Sequence, residues 1–412
     1  MPAREDITYW GAGPALMPTD VLQKAAAALI NYNDTGLGIA EHSHRSQHAT
    51  DIINEAKADL ASYLSVPTDK YEILFMQAGG SGEFSAVVYN LVGAWVQKKK
   101  AAGASDSDLQ KAVLSLKCDY IVTGGWSEKS YKEAGRLLGE EHANLVADSR
   151  KSSSTGKFGS ITPESDWSLT SEAAYVYYCD NETVDGVEFP AFPESLKPKA
   201  DGSGPIVVAD MSSNILSRPI PVENYGIIFF GAQKNFGIAG ITVAIVRKDL
   251  IPQPPPALMR KLGLPIPPIM LQYDSIAKNN SLYNTLSIFD VYIAGQVLKK
   301  LLSTYPNKVA GQAEVSDKKA GIIYSALEAH PDVYKIVPAQ NVRSRMNICF
   351  RVTKGADVDA AEKAFLKEST ALGLTGLKGH RSVGGIRASA YNSVPLAGAE
   401  KLAAFINDFA KS

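Results

Sequence analysis

Cysteine is scarce in this chain of 412 residues: Cys118, Cys179 and Cys349 lie far apart, with no C-x-x-C spacing. They offer neither a disulfide framework nor a zinc knuckle, and they point to a reducing compartment. Long apolar runs are also missing. No stretch approaches the roughly 18 uninterrupted apolar residues of a membrane span, and residues 1–7 carry acidic side chains instead of the apolar run of a signal peptide. A cytoplasmic protein without a membrane partner is expected. Charge of one sign is absent too, because 42 Lys and Arg stand against 43 Asp and Glu, a net charge of −1. That balance argues against a general nucleic-acid binder, whose affinity rests on an excess of cations over phosphate; it leaves a small charged substrate open. Hydrophobic content of 45% and charged content of 21% are those of ordinary soluble domains. The length suggests two or three of them.

What is present is an alternation of apolar runs and amphipathic stretches. Thr19 and Asp20 are candidate caps for a helix through Val21, Leu22 and Ala25 to Ile30. A second helix is expected from Thr50, with Ile53, Ala56, Leu60 and Tyr63 on one face. The runs 73–76, 120–123, 173–178, 206–210, 225–230 and 241–246 are apolar on consecutive residues. That pattern fits strands covered on both faces, as in a mostly parallel sheet flanked by helices. The run 73–76 breaks into Gly79, Gly80, Ser81 and Gly82 and resumes as a helical stretch over 83–95, the strand, turn and helix of an α/β unit. The fold class is therefore α/β. Residues 97–117 read as a solvated, partly helical excursion, and 149–160 as a loop or hairpin. Seven prolines within 252–268 argue against a regular helix there. A helix over 288–302 opens a C-terminal domain that includes a strand over 345–351 and a closing helix over 396–409.

Asp210 closes one predicted strand and Lys234 follows another. In open α/β sheets the ligand crevice lies at the carboxyl ends of strands, so both side chains can project into one site. An aldehyde cofactor such as pyridoxal phosphate needs a lysine to form an imine and a carboxylate to keep the pyridine nitrogen protonated. The plainer alternative is a turn-capping aspartate and a solvated lysine. The glycine turn 79–82 could present backbone N–H groups to a phosphate, although it is neither a P-loop nor a dinucleotide fingerprint. His44 and His48 would suit a metal only if both lay on one helix, and without a further ligand cluster no metal is expected. His44 with Arg45, and His380 with Arg381 and Arg387, are better suited to gripping anions. Trp126, after Gly124 and Gly125 at a strand end, could stack on a flat cofactor or belong to the core.

Taken in order, Gly13-Pro14, Ser43-His-Arg45, Gly79-Gly-Ser-Gly82, Gly125-Trp126, Asn181-Glu-Thr183, Ala209-Asp210, Gly231-Ala-Gln-Lys234, Tyr283-Asn-Thr285, Ser344-Arg-Met-Asn347, Lys378-Gly-His-Arg381 and Gly384-Gly-Ile-Arg387 closely resemble the phosphoserine aminotransferases. These are class-V pyridoxal-phosphate enzymes of serine biosynthesis. The resemblance implies fold type I, an aspartate-aminotransferase-like architecture with a mostly parallel seven-stranded sheet and a smaller α+β C-terminal domain. It divides the chain into an N-terminal segment, 1–17, packing near the small domain, a cofactor domain, 18–285, and a small domain, 286–412. Lys234 would hold the cofactor and shuttle the proton, Asp210 would pair with the pyridine nitrogen, Trp126 would stack on the ring and Thr183 would touch its polar edge. Gly80, Ser81 and Gln233 would hold its phosphate. Asn284 and Thr285 would reach the phosphate of the neighbouring subunit in a homodimer. His44, Arg45, His380 and Arg381 would bind the distal anion of substrate, and Arg387 its α-carboxylate. The implied reaction moves an amino group from L-glutamate to 3-phosphohydroxypyruvate. Ser81 departs from bacterial members that carry arginine there, leaving one cation fewer for the phosphate. Alternatives are a serine- or alanine–glyoxylate-type aminotransferase, or a protein that binds the cofactor without activity. A nicotinamide enzyme fits less well, since Gly36-Leu-Gly38 meets Glu41 where a third glycine would fall and no strand precedes it.

Overall fold

The computed structural model describes residues 2–199 and 203–412. A short strand, β1 (Thr8–Tyr9), precedes helices α1 (Thr19–Ile30) and α2 (Gln47–Leu64). Then come β2 (Tyr71–Met76), α3 (Gly79–Ala101), α4 (Asp106–Val113), β3 (Cys118–Val122), α5 (Gly125–Leu138), β4 (Ala143–Asp148) and α6 (Ser149–Ser152). β5 (Val176–Cys179) runs into a hairpin of β6 (Asn181–Glu182) and β7 (Val187–Glu188), followed by β8 (Val207–Asp210), β9 (Ile227–Gly231) and β10 (Thr242–Arg247). Beyond them lie α7 (Pro256–Lys261), α8 (Tyr273–Lys278), α9 (Ile288–Thr304), α10 (Val309–Glu328), β11 (Tyr334–Ile336), β12 (Asn347–Val352), α11 (Val358–Ala371), β13 (Leu374–Thr375), β14 (Ile386–Ser389) and α12 (Leu396–Lys411).

The central sheet has seven strands in the order β2-β10-β9-β8-β5-β3-β4. Only β10 runs antiparallel to its neighbours, β2 and β9; the other pairings are parallel. As a result β2, β3, β5, β8 and β9 all end on one edge of the sheet. Alternate residues of these strands point to opposite faces. Phe75, Ile121, Ala209, Phe230 and Val243 join α1, α2 and α9 in one core, while Leu74, Tyr120, Val208, Phe229 and Ala244 join α3 and α8 in another. Burial on both faces explains the continuous apolar runs. A third core gathers Trp10, α10, α11, α12 and the β11-β12-β14 sheet, and β1 pairs with β13 beside it.

Several expectations need correction. The glycine turn is itself the first turn of α3, which continues to Ala101, and its last turn carries Lys98, Lys99 and Lys100, where cations complement the helix dipole. α2 starts at Gln47, with the Ser46 hydroxyl accepting the Ala49 N–H, so His44 precedes the helix that contains His48 and the two do not form a helical ligand pair. Thr19 and Asp20 are the first helical residues, following Pro18, and neither caps with its side chain. The proline-rich segment holds the short helix α7 because Pro256 occupies its first turn, where no amide donor is required. Residues 149–152 are helical. β4, at the sheet edge with a mixed burial pattern, and helices α10 and α11 were not anticipated.

The β6–β7 hairpin is bound to its surroundings through buried charge. Glu188 accepts from the Arg345 backbone N–H at 2.8 Å and from its Nη2 at 2.9 Å, with Arg218 Nη1 at 3.9 Å. Arg218 Nη2 in turn donates to Asp180 at 2.6 Å. Burial raises the Glu188 carboxyl, but Arg345 and Arg218 outweigh it and hold the group below its ordinary value. A depressed carboxyl gives stability that is full above the unfolded carboxyl range and is lost as pH falls through the folded value. Removing one partner of such a network leaves buried charge uncompensated, at a cost of about 3–5 kcal/mol. Glu188→Ala is therefore expected to lower unfolding free energy by about that amount in urea titrations at pH 7, with a smaller deficit in acid; a loss within about 0.5 kcal/mol would show the network to be energetically idle.

Candidate active site

The shared edge of the sheet collects the chemistry. A pocket there is lined by Gly80, Ser81, Trp126, Cys179, Asn181, Thr183, Asp210, Ser212, Ser213, Gln233 and Lys234. Asp210 is the last residue of β8, and Lys234 lies three residues past the end of β9. Lys234 is 8% exposed and Asp210 5%. The amine donates to Thr183 Oγ1 at 3.0 Å, and one Asp210 oxygen accepts the Ser212 N–H at 2.8 Å. Burial pushes the Asp210 carboxyl above its ordinary value, against the pull of Ser212 and Lys234. The N-terminal segment closes on the lysine: the Ala15 N–H donates to the Gln233 carbonyl, and Gly13, at φ +135°, would bring a Cβ within 3.3 Å of Lys234 Cε. A side chain there would be both strained and crowded.

At the β2 end, the N-terminus of α3 faces the pocket with Gly80 and Ser81. The Gly79 N–H is already used, donating to Thr242 Oγ1 at 2.7 Å, and the following amides belong to the unsatisfied first turn of a long helix. Glu83, one turn in, is wholly buried and accepts from the Tyr273 hydroxyl at 2.8 Å. Burial pushes its carboxyl up to about 7.

Of the predicted anion-binding residues, Arg387 is the one tied directly to the pocket wall: its Nη1 donates to the Thr183 carbonyl at 3.2 Å, and its buried Nε has no partner among the described residues. Burial, with Arg387, Arg381 and Lys129 nearby, holds His380 below its ordinary value. His44, Arg45, Asn284 and Thr285 are not among the residues lining this pocket; Asn284 Nδ2 donates to Gln77 Oε1 at 2.8 Å. Asn181, Ser212, Ser213 and Cys179 do line it, although no role had been read for them. Their position at or just past the ends of β5 and β8 was the available signal.

The residues present fit pyridoxal phosphate. A buried amine and a buried carboxylate share one pocket and form no ion pair with each other among the described residues. A half-buried indole stands in the same wall, and a helix N-terminus with open space beside Gly80 faces it.

The class-V aminotransferase profile matches residues 7–115 and 151–402. The phosphoserine aminotransferase of Saccharomyces cerevisiae is 43% identical over 417 aligned positions, spanning 99% of this chain and 98% of that protein. The solved structure of phosphoserine aminotransferase from Bacillus circulans subsp. alkalophilus is similar at a TM-score of 0.82 and 36% identity, covering 98% of each chain. That of the Trichomonas vaginalis phosphoserine aminotransferase with pyridoxal phosphate bound is similar at 0.80 and 34% identity, covering 96% of this chain and 98% of that one.

Glu83 generates a pH signature. Its folded value, about 7, lies above its ordinary value of 4.5, so the folded state holds a proton that the unfolded state has released, and stability falls as pH rises between the two. Glu83→Gln, which can still accept from Tyr273, removes that loss. Its stability advantage over the parent is expected to grow from about pH 4.5 to pH 7 and then level off in denaturation curves; parallel curves would place the Glu83 carboxyl at its ordinary value.

Proposed function

We propose that this chain, which belongs to the phosphoserine aminotransferase family of class-V aminotransferases, transfers the amino group of L-glutamate to 3-phosphohydroxypyruvate. The products are O-phospho-L-serine and 2-oxoglutarate, and the cofactor is pyridoxal phosphate. The observation that carries the reading is the pocket in which Lys234 and Asp210 are buried together at the strand ends.

When bound, the cofactor supplies an electron sink for the charge that develops at the substrate α-carbon. The chain supplies the rest. Lys234 Nζ would hold the cofactor and, once freed by substrate, would carry the proton between the substrate α-carbon and the cofactor. Asp210, as a carboxylate, would keep a proton at the ring nitrogen; Ser212 and Lys234 favour that charged form against the opposing effect of burial. Thr183 orients the amine, and Trp126 covers one face of the ring and excludes water. Gly80, Ser81 and Gln233 hold the phosphate at the α3 N-terminus, where orphan amides and the dipole act together. Asn284 and Thr285, which do not line the pocket of their own chain, would serve the site of the other protomer in a homodimer, as the family resemblance implies.

Glutamate and phosphoserine share an α-amino acid head and a distal anion, so one basic pocket serves both halves of a ping-pong reaction. Arg387 takes the α-carboxylate with the donors left free by its bond to Thr183. His44, Arg45, His380 and Arg381 take the distal phosphate or carboxylate between domains and subunits. We read 18–285 and 286–412 as the two domains, with residues 1–17 beside the second; the separate core that joins Trp10 to α10, α11 and α12 supports the division, while α9 packs into the core of the first domain. No helix among the described residues is long and apolar enough to cross a membrane, and we assign the protein to the cytoplasm.

Glutamate-dependent amination of 3-phosphohydroxypyruvate and of hydroxypyruvate tests the substrate class. Loss of a charged group recognised by several cations is expected to lower kcat/KM for hydroxypyruvate by about 100-fold or more. Equal values would remove the phosphate-specific reading and favour a glyoxylate-type aminotransferase.

A further inference from the structure

We propose that Glu182 is a positioning residue that holds Trp126 in register with the cofactor ring; the inference rests on the reading of Trp126 as the ring-stacking side chain. α5 opens at the end of β3 with Gly124 as its N-cap, a residue with no side chain to satisfy the free amides of the first turn. Glu182, brought in by β6, does so from across the fold. Its Oε2 accepts the Trp126 N–H at 3.0 Å, and its Oε1 accepts the Ser127 N–H at 2.8 Å and the Ser127 hydroxyl at 2.6 Å. The same hydroxyl oxygen accepts the N–H groups of Thr123 and Gly124, which joins the strand end and the helix start into one unit.

The carboxyl is wholly buried and has no ion-pair partner among the described residues; burial pushes it up to about 7, against the pull of these three donors and of the helix N-terminus. A Cβ on Gly124 would fall on the Glu182 carboxylate; glycine at that position makes room for the contact. On the helix side, Lys129 Nζ lies 4.2 Å from the centre of the Trp126 ring and narrows the freedom of the indole. The next residue after Glu182 is Thr183, whose hydroxyl receives Lys234 Nζ and whose carbonyl receives Arg387. Two adjacent residues thus fix the amine, the indole and the carboxylate-binding arginine relative to one another. Both oxygens of Glu182 face donors, so an amide of the same shape would set a donor against a donor at Trp126 or Ser127.

A double-mutant cycle on the holoenzyme separates positioning from general support. Cofactor dissociation constant and visible-region circular dichroism of the bound cofactor are measured for the parent, Glu182→Gln, Trp126→Ala and the double variant. We expect Glu182→Gln to weaken cofactor binding about fivefold or more and to shrink the dichroic band, while in the Trp126→Ala background it changes affinity less than about twofold. Equal losses in both backgrounds would overturn the proposal and leave the stacking role of Trp126 standing. Unchanged affinity and dichroism in Trp126→Ala would overturn the stacking role itself, and the proposal with it. Should Glu182→Gln fail to fold, Glu182→Asp, which keeps the charge but shortens the reach, enters the same cycle under the same criterion.

Discussion

An amine and a carboxylate, Lys234 and Asp210, are held in one buried pocket and form no ion pair with each other among the described residues, and the rest of the structure serves that arrangement. Burying either group unpaired is costly. The cost is limited by neutral hydrogen-bond partners, the Thr183 hydroxyl for the amine and Ser212 for the carboxylate. A direct pair would lower the energy of both groups and remove both from chemistry. Keeping them apart requires that β8 and β9 stay in parallel register, with Asp210 opposite Phe229, and that Lys234 be confined by the N-terminal segment at Gly13.

The short segment after β5 carries the second layer of this constraint. Asn181 donates to Ser213 at 2.6 Å and to Asn347 at 2.8 Å, and accepts from Ser344 at 2.6 Å. It therefore links the sheet edge to β12 and the residues before it. Glu182 caps α5, Thr183 holds the amine, and Asp180 and Glu188 receive Arg218 and Arg345. Every polar residue in this stretch faces inward, which is costly in isolation and becomes favourable only as a satisfied network.

Much of this was legible in the sequence because two-sided burial writes itself as continuous apolar runs, and strand ends in such sheets are where ligands bind. Asp210 and Lys234 were candidates on that basis, beside the plainer reading of a capping aspartate and a solvated lysine, and the family resemblance decided between the two. β4 escaped notice because an edge strand needs less apolar surface, and α10 because its buried positions include Gln312, Ser316 and Lys319. The start of α3 at Gly79 was hidden by glycines that ordinarily end helices. Glu182 carries no local pattern: its partners, Trp126 and Ser127, lie more than fifty residues away and meet it only in the folded chain. His44, Arg45, Asn284 and Thr285 could be assigned from family resemblance, and the pocket of a single chain does not include them.

The central claim is that Lys234 is the amine to which the cofactor is joined. Borohydride reduction of the holoenzyme, followed by proteolysis and peptide mass analysis, addresses it directly. The account predicts a stoichiometric phosphopyridoxyl group on the peptide containing Lys234. The same group on another lysine, or no fixed cofactor in a fully loaded sample, would contradict it.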